Sequence, residues 1–168
     1  HTHSGLFHGL IDAMDHLERR LALSAKPGQS FMNLHQQAHL GIAEILHQTQ
    51  LVKGSTESMV EQGITRTFFP HGLGHFLGAQ VHDVAGQVST EGQSLPPPPQ
   101  DPMLRLTRTL EEGHVVTIEP GLYFIPLLLD QLRSGAVSEQ VDWDLVESLI
   151  SFGGIRIEDN VLVSQEGP

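Results

Sequence analysis

The chain has 168 residues, 39% of them hydrophobic and 17% charged, which suits one globular domain with a hydrophobic core and excludes a disordered composition. It has no cysteine, which excludes a disulfide framework, a thiolate metal site and a cysteine nucleophile, and fits a reducing cytoplasm. A formal net charge of -11, with only 9 lysines and arginines, disfavours nucleic acid as a partner.

Read in chain order, Leu6, Leu10, Ile11, Met14, Leu17 and Leu21 fall in steps of three and four. They predict an amphipathic helix from Leu6 to about Ser24, stopped by Lys26-Pro27-Gly28. A second helix is predicted from near Ser30 to about Gln50, with Leu34, Ala38, Ile42, Ile45 and Leu46 on its buried side. His35, His39 and His47 lie on it. The first two are one turn apart, a metal-ligand spacing, but with no carboxylate close by in sequence they read as surface residues.

A short helix from Thr56 to Gln62 is predicted to end at Gly63, which suits a left-handed cap. After it, short apolar segments alternate with glycine, the texture of strands and tight turns. The stretch from Gln87 to Met103 contains Pro96 to Pro99 and reads as a loop. The longest apolar run, Leu122 to Leu129, is too short to span a membrane and contains a proline, so no membrane partner is expected. Asp130 to Leu149 reads as helical or irregular. No repeat or interdomain linker interrupts the chain, so residues 1–168 are read as a single domain.

Two predicted strands carry carboxylates. In HVVTIEPGLYF, Val116 and Ile118 share one face, Thr117 and Glu119 share the other, and Pro120 ends the ladder. In GGIRIEDNVLV, Ile155 and Ile157 face one way while Arg156 and Glu158 face the other. Upstream, HGLGHFLGAQVHDVAG sets His71, His75 and His82 among glycines that allow close backbone approach. Hard divalent cations favour carboxylate oxygens with an occasional imidazole, so these segments together make a candidate His/Glu/Glu metal site.

The wording of the motifs goes further. FFPHGLGHFLGAQVHDVAG, TIEPGLYF and FGGIRIEDNVLV resemble, in order, three signature segments of the prolidases, the Xaa-Pro dipeptidases. These belong to the metallopeptidase family that includes aminopeptidase P, methionine aminopeptidase and creatinase. The resemblance covers essentially the whole chain, and the insertion between Glu119 and Glu158 resembles the bacterial dipeptidase branch. It implies an α/β (α+β) architecture: part of a pita-bread fold, with a curved antiparallel sheet flanked by helices.

The resemblance also implies two divalent ions, usually manganese, held by two aspartates, one histidine and two glutamates. His75, Glu119 and Glu158 match the last three of these ligands, with Glu158 bridging the ions. By the same resemblance the ions activate water, Glu119 shuttles the proton and His82 stabilises the tetrahedral intermediate. His71, His82, Arg105 and Arg156 match residues that line the substrate pocket, where an arginine fork suits a dipeptide carboxylate.

One departure stands out. The family's aspartate motif, D-x-G followed by D-x-T-R, is absent, and Asp12 and Asp15 have neither its spacing nor its flanking residues. The chain is therefore expected to be the C-terminal portion of the pita-bread domain, with the N-terminal half missing. It should bind at most one manganese, weakly, and not hydrolyse dipeptides by itself. An uncovered sheet edge, together with the prolidase habit of dimerising, leads to an expected homodimer. Two alternatives stay open at this level: a portion of an Xaa-Pro aminopeptidase, or a non-enzymatic pita-bread binding module.

Overall fold

The computed structural model describes residues 3–167, and the leading apolar stripe forms helix α1, His3–Ser24. Leu10, Met14, Leu17 and Leu21 are buried as the spacing requires. Ile11 is 36% exposed, whereas Glu18 is buried. The helical period explains the exchange, because position 18 follows Met14 by one turn on the buried face while position 11 is rotated away from it. Helix α2 spans Phe31–Gln48, and all five residues assigned to its inner side are buried.

Helix α3, Thr56–Glu61, is capped by the Ser55 side chain, which accepts from the Ser58 N–H. Gly63 follows in the left-handed region, with φ 75°, the conformation expected of a glycine that ends a helix. The next segment corrects the reading of strands and turns. Ile64–Phe68 forms a further short helix, α4, with Ile64, Thr65 and Phe68 buried. Five residues are too few for a helical period to emerge from the sequence.

The strands are β1, Val115–Ile118, and β2, Gly121–Tyr123, then β3, Gly154–Arg156, and β4, Asp159–Leu162. GGIRIEDNVLV, read as one strand, is thus two strands separated by Ile157 and Glu158. Helices α5, Pro126–Arg133, and α6, Trp143–Leu149, lie between β2 and β3. Pro126 sits in the first turn of α5, where its missing N–H costs no hydrogen bond. Among the described residues no helix is long and apolar enough to cross a membrane.

The chain divides into two compact units. The first takes in the described part of His1–His16, His39–Pro70 and Gly121–Arg156. Its β2 and β3 pair antiparallel, with Leu122 opposite Ile155. Phe68 meets Phe124 edge-on at 6.2 Å between ring centroids, a favourable geometry for two buried rings. Arg133 stacks over Trp143 and pairs with Glu147.

The second unit takes in Leu17–Ala38, His71–Pro120 and the described part of Ile157–Pro168. Its β1 and β4 pair antiparallel from Val115 opposite Leu162 to Ile118 opposite Asp159. The turn after α1 is stitched in by backbone bonds, Gly28 N–H to Leu110 at 2.8 Å and Phe31 N–H to Arg108 at 3.0 Å. The proline-rich loop is tied down by Thr107, whose hydroxyl donates to the Leu95 carbonyl at 2.6 Å.

His35 and His39 require a second correction, since they are 3% and 2% exposed rather than on the surface. In the second unit, His35 Nε2 lies 3.6 Å from an Asp101 carboxylate oxygen. In the first, His39 Nδ1 is 3.0 Å from the Thr65 hydroxyl. Buried polar groups need such partners, and both partners come from sequence positions that no local spacing reveals.

Candidate metal centre

Every part of the His/Glu/Glu cluster lies in the second unit, and its geometry follows from how one irregular segment docks on β1. Residues 73–77 run antiparallel to β1 along the edge opposite β4. The Glu119 N–H donates to Leu73 at 2.8 Å, the Thr117 N–H to His75 at 2.9 Å, and the Leu77 N–H to Val115 at 2.9 Å. Phe76 and Val116 form the corresponding bridge. The approach at Gly74 is tight, since a Cβ built there would lie 2.0 Å from the Thr117 carbonyl oxygen. Only a residue without a side chain lets the two backbones meet this closely.

The pairing carries His75 inward. It is 4% exposed, and its Nδ1 lies 2.9 Å from the Phe76 carbonyl oxygen. A carbonyl can only accept, so Nδ1 carries a proton and Nε2 is the ring nitrogen available to a metal. Nε2 points at Glu119, 3.5 Å from Oε1. This is the arrangement of a metal-ligating histidine, one nitrogen committed to a backbone carbonyl and the other left to ligate.

Glu119, 8% exposed, occupies the face it shares with Thr117, and the Thr117 hydroxyl is 3.1 Å from its Oε1. Continuing the β1–β4 register by one residue sets Glu158 opposite Glu119. Glu158 is exposed. One ligand atom from each of His75, Glu119 and Glu158 lies within 4.8 Å of the others. Two carboxylates facing each other across a ladder repel, and a divalent cation between them would convert that repulsion into attraction. An imidazole lone pair beside two carboxylates is a donor set that such a cation accepts. The residues therefore fit the group that the sequence implied.

His82 stands beside His75. It is exposed, and its ring stands nearly perpendicular to that of His75, with centroids 4.4 Å apart. Its loop is held by the Asp83 N–H, which donates to Phe76 at 3.2 Å, and by the Asp83 carboxylate, which accepts from the Ala85 N–H at 2.9 Å. His71 is half-buried, with Nδ1 2.8 Å from the Gly72 carbonyl. Arg105 is exposed, and its backbone packs against Gly86. Arg156 belongs to the first unit, where its Nε donates to the Tyr123 hydroxyl at 2.7 Å.

Sequence reasoning placed Thr117 on the Glu119 face but gave it no role. The alternation that pairs residues 117 and 119 was the available signal. Gly74 belongs to the glycines expected to allow close backbone approach, and the structure bears this out; which backbone it approaches was not legible, because that partner lies more than forty residues downstream.

Residues 6–165 match the Metallopeptidase family M24. The chain belongs to that family. It is 53% identical over 162 residues to a protein of Marinobacter nauticus named Xaa-Pro dipeptidase, covering 96% of this chain and 36% of the relative. A Shewanella amazonensis protein of the same name is 49% identical, with 96% of this chain and 37% of the relative covered. The chain thus spans little more than a third of the length of these relatives.

Among solved structures, proline aminopeptidase P II from Yersinia pestis is similar with a TM-score of 0.68 and 26% identity, covering 97% of this chain and 30% of that one. Aminopeptidase P from Escherichia coli, solved with the inhibitor Pro-Leu, gives a TM-score of 0.65 and 27% identity over the same shares. The mixed helix-and-strand architecture is accordingly that of pita-bread proteins.

Proposed function

We propose that this chain is part of an enzyme that hydrolyses the Xaa-Pro bond of dipeptides. The observation that carries the reading is the convergence of His75, Glu119 and Glu158 within 4.8 Å. It occurs in a family M24 chain about half identical to proteins named Xaa-Pro dipeptidase. Identity of 46–53% to the proteins named Xaa-Pro dipeptidase, against 24–28% to the aminopeptidase P structures, supports the dipeptidase over the aminopeptidase.

His75, Glu119 and Glu158 would hold manganese, which in two-ion sites lowers the pKa of water so that a nucleophile is available near neutral pH. Glu119 takes up the proton released in the attack and passes it to the leaving amine. His82, exposed and with its ring against His75, donates a hydrogen bond to the oxyanion that develops at the carbonyl before proline. His71 lines the pocket. Arg105 and Arg156 bind the substrate carboxylate, a role their planar, permanently charged guanidinium groups suit.

Residues 1–168 form part of one catalytic domain in this reading. The chain supplies three of the five ligand side chains, so the 168-residue polypeptide alone binds at most one manganese, weakly, and does not turn over Gly-Pro. The whole enzyme acts in the cytoplasm as a homodimer. Release of proline from Gly-Pro with excess manganese tests both halves of the proposal. The whole enzyme should hydrolyse the dipeptide and the 168-residue chain should not. Robust turnover by the latter overturns the ligand argument, and none by the former overturns the substrate.

A further inference from the structure

Thr117 makes two contacts that the reaction sketched above does not use. Its hydroxyl lies 3.0 Å from the His75 backbone nitrogen and 3.1 Å from Glu119 Oε1, in a setting where only 1% of the residue is exposed. The His75 N–H can only donate, so the hydroxyl oxygen accepts from it. The single hydroxyl proton then has two acceptors in view, Glu119 Oε1 at 3.1 Å and the His75 carbonyl at 3.5 Å. Directing it at the carbonyl would leave two oxygens facing each other at 3.1 Å with no proton between them. The proton therefore goes to Glu119, the nearer acceptor.

We infer that Thr117 is the positioning residue of the metal centre, coupling the backbone that carries His75 to the carboxylate of Glu119 through one buried hydroxyl. The inference rests on the reading of His75, Glu119 and Glu158 as metal ligands. Three features of the residue suit the task. Its β-branch restricts χ1, so the hydroxyl cannot swing freely. Its backbone is fixed in β1, with the N–H bonded to the His75 carbonyl at 2.9 Å. Its position two residues before Glu119 puts both side chains on one face. The hydroxyl orients the Glu119 carboxylate toward the Nε2 side of His75, ordering two ligands before an ion arrives. Outer-shell groups of this kind typically contribute 10–100-fold to metal affinity.

The test uses Thr117→Val, which keeps the shape and the strand preference but removes the hydroxyl, and Thr117→Ser, which keeps the hydroxyl and removes the methyl. Manganese binding to the whole enzyme is followed by the electron paramagnetic resonance of the free ion, a measurement that needs no turnover. Thr117→Val should bind at least about 10-fold more weakly, and Thr117→Ser within about threefold of wild type by retaining that outer-shell bond. A merely structural threonine would lower the melting temperature of Thr117→Val and leave its manganese affinity unchanged, which overturns the inference alone. Absence of binding by the wild type overturns the metal-site reading and this inference with it. Should Thr117→Val fail to fold, Thr117→Ser decides: retained affinity supports the coupling hydroxyl, and a loss like that expected of Val overturns it.

Discussion

Replacing Gly74 by alanine probes the contact on which the cluster depends. The added Cβ would fall 2.0 Å from the Thr117 carbonyl oxygen and 2.8 Å from the attached carbon, both backbone atoms held in β1. Relief to an ordinary separation requires the 73–77 segment to retreat by at least about 1 Å, since the carbonyl cannot rotate without breaking the ladder. The bonds from the Thr117 N–H to His75 and from the Glu119 N–H to Leu73, now 2.9 and 2.8 Å, would then exceed hydrogen-bonding reach. Two lost bonds at about 1 kcal/mol each, plus roughly 1–2 kcal/mol for the overpacked contact, give a destabilisation of roughly 3–4 kcal/mol. For a chain of this size that corresponds to a melting temperature lower by roughly 6–16 °C. Scanning calorimetry reads the shift directly. Gly9→Ala is the control: nothing lies within 4 Å of a Cβ built there and the site is in the interior of α1, so this variant should gain about 0.5–1 kcal/mol. A Gly74→Ala protein that melts within about 2 °C of wild type would show that the close approach is not a constraint.

Glu158→Gln removes one of two facing carboxylates. It should leave the metal-free protein as stable or more stable by about 0.2–1 kcal/mol while abolishing the rise in melting temperature on adding manganese; an undiminished rise would count against Glu158 as a ligand. His114 offers a pH test, because burial first and the Arg108 cation second hold its pKa below the usual value of 6.5, and its Nδ1 accepts the Glu111 N–H at 3.0 Å only when unprotonated. With the folded pKa below the unfolded one, the unfolded chain binds the proton more readily. Stability is therefore full above the unfolded value and falls as pH drops from there through the folded pKa. Urea unfolding from pH 7.5 to 5 should show this slope reduced in His114→Asn, and parallel curves would refute it. Thr65→Val leaves buried His39 without the hydroxyl now 3.0 Å from its Nδ1 and should cost about 1–3 kcal/mol in urea unfolding; Thr65→Ser, which retains the hydroxyl, should recover most of that loss.

The helical half of the chain was legible because its signals are local. The stripe in α1 and the apolar side of α2 depend on a 3.6-residue period, visible in any window of two or three turns. Gly63 was informative for the same reason, since a glycine admits the left-handed backbone that ends a helix whatever the rest of the chain does. Reading failed where a local signal was too short or a distant partner intervened. Helix α4 has five residues and no repeat to detect. His35 and His39 were assigned to the surface because Asp101 and Thr65 are remote in sequence, yet these partners make their burial affordable.

The candidate site divides along the same line. Residue chemistry and alternation were enough to nominate Glu119, Glu158 and an unspecified histidine among His71, His75 and His82, and to put Thr117 on the Glu119 face, because a strand's side chains alternate regardless of its neighbours. The resemblance to the prolidases singled out His75. The convergence of the three ligands was decided by tertiary pairing. A one-residue slip of β4 against β1 would turn Glu158 away from Glu119, and without Gly74 the His75 segment could not seat against Thr117. Such pairings join residues 42 positions apart, as in the His75–Thr117 bond. Their energy exists only after the chain closes on itself, so composition and local period carry the ligands' identities while the register of distant backbones carries their geometry.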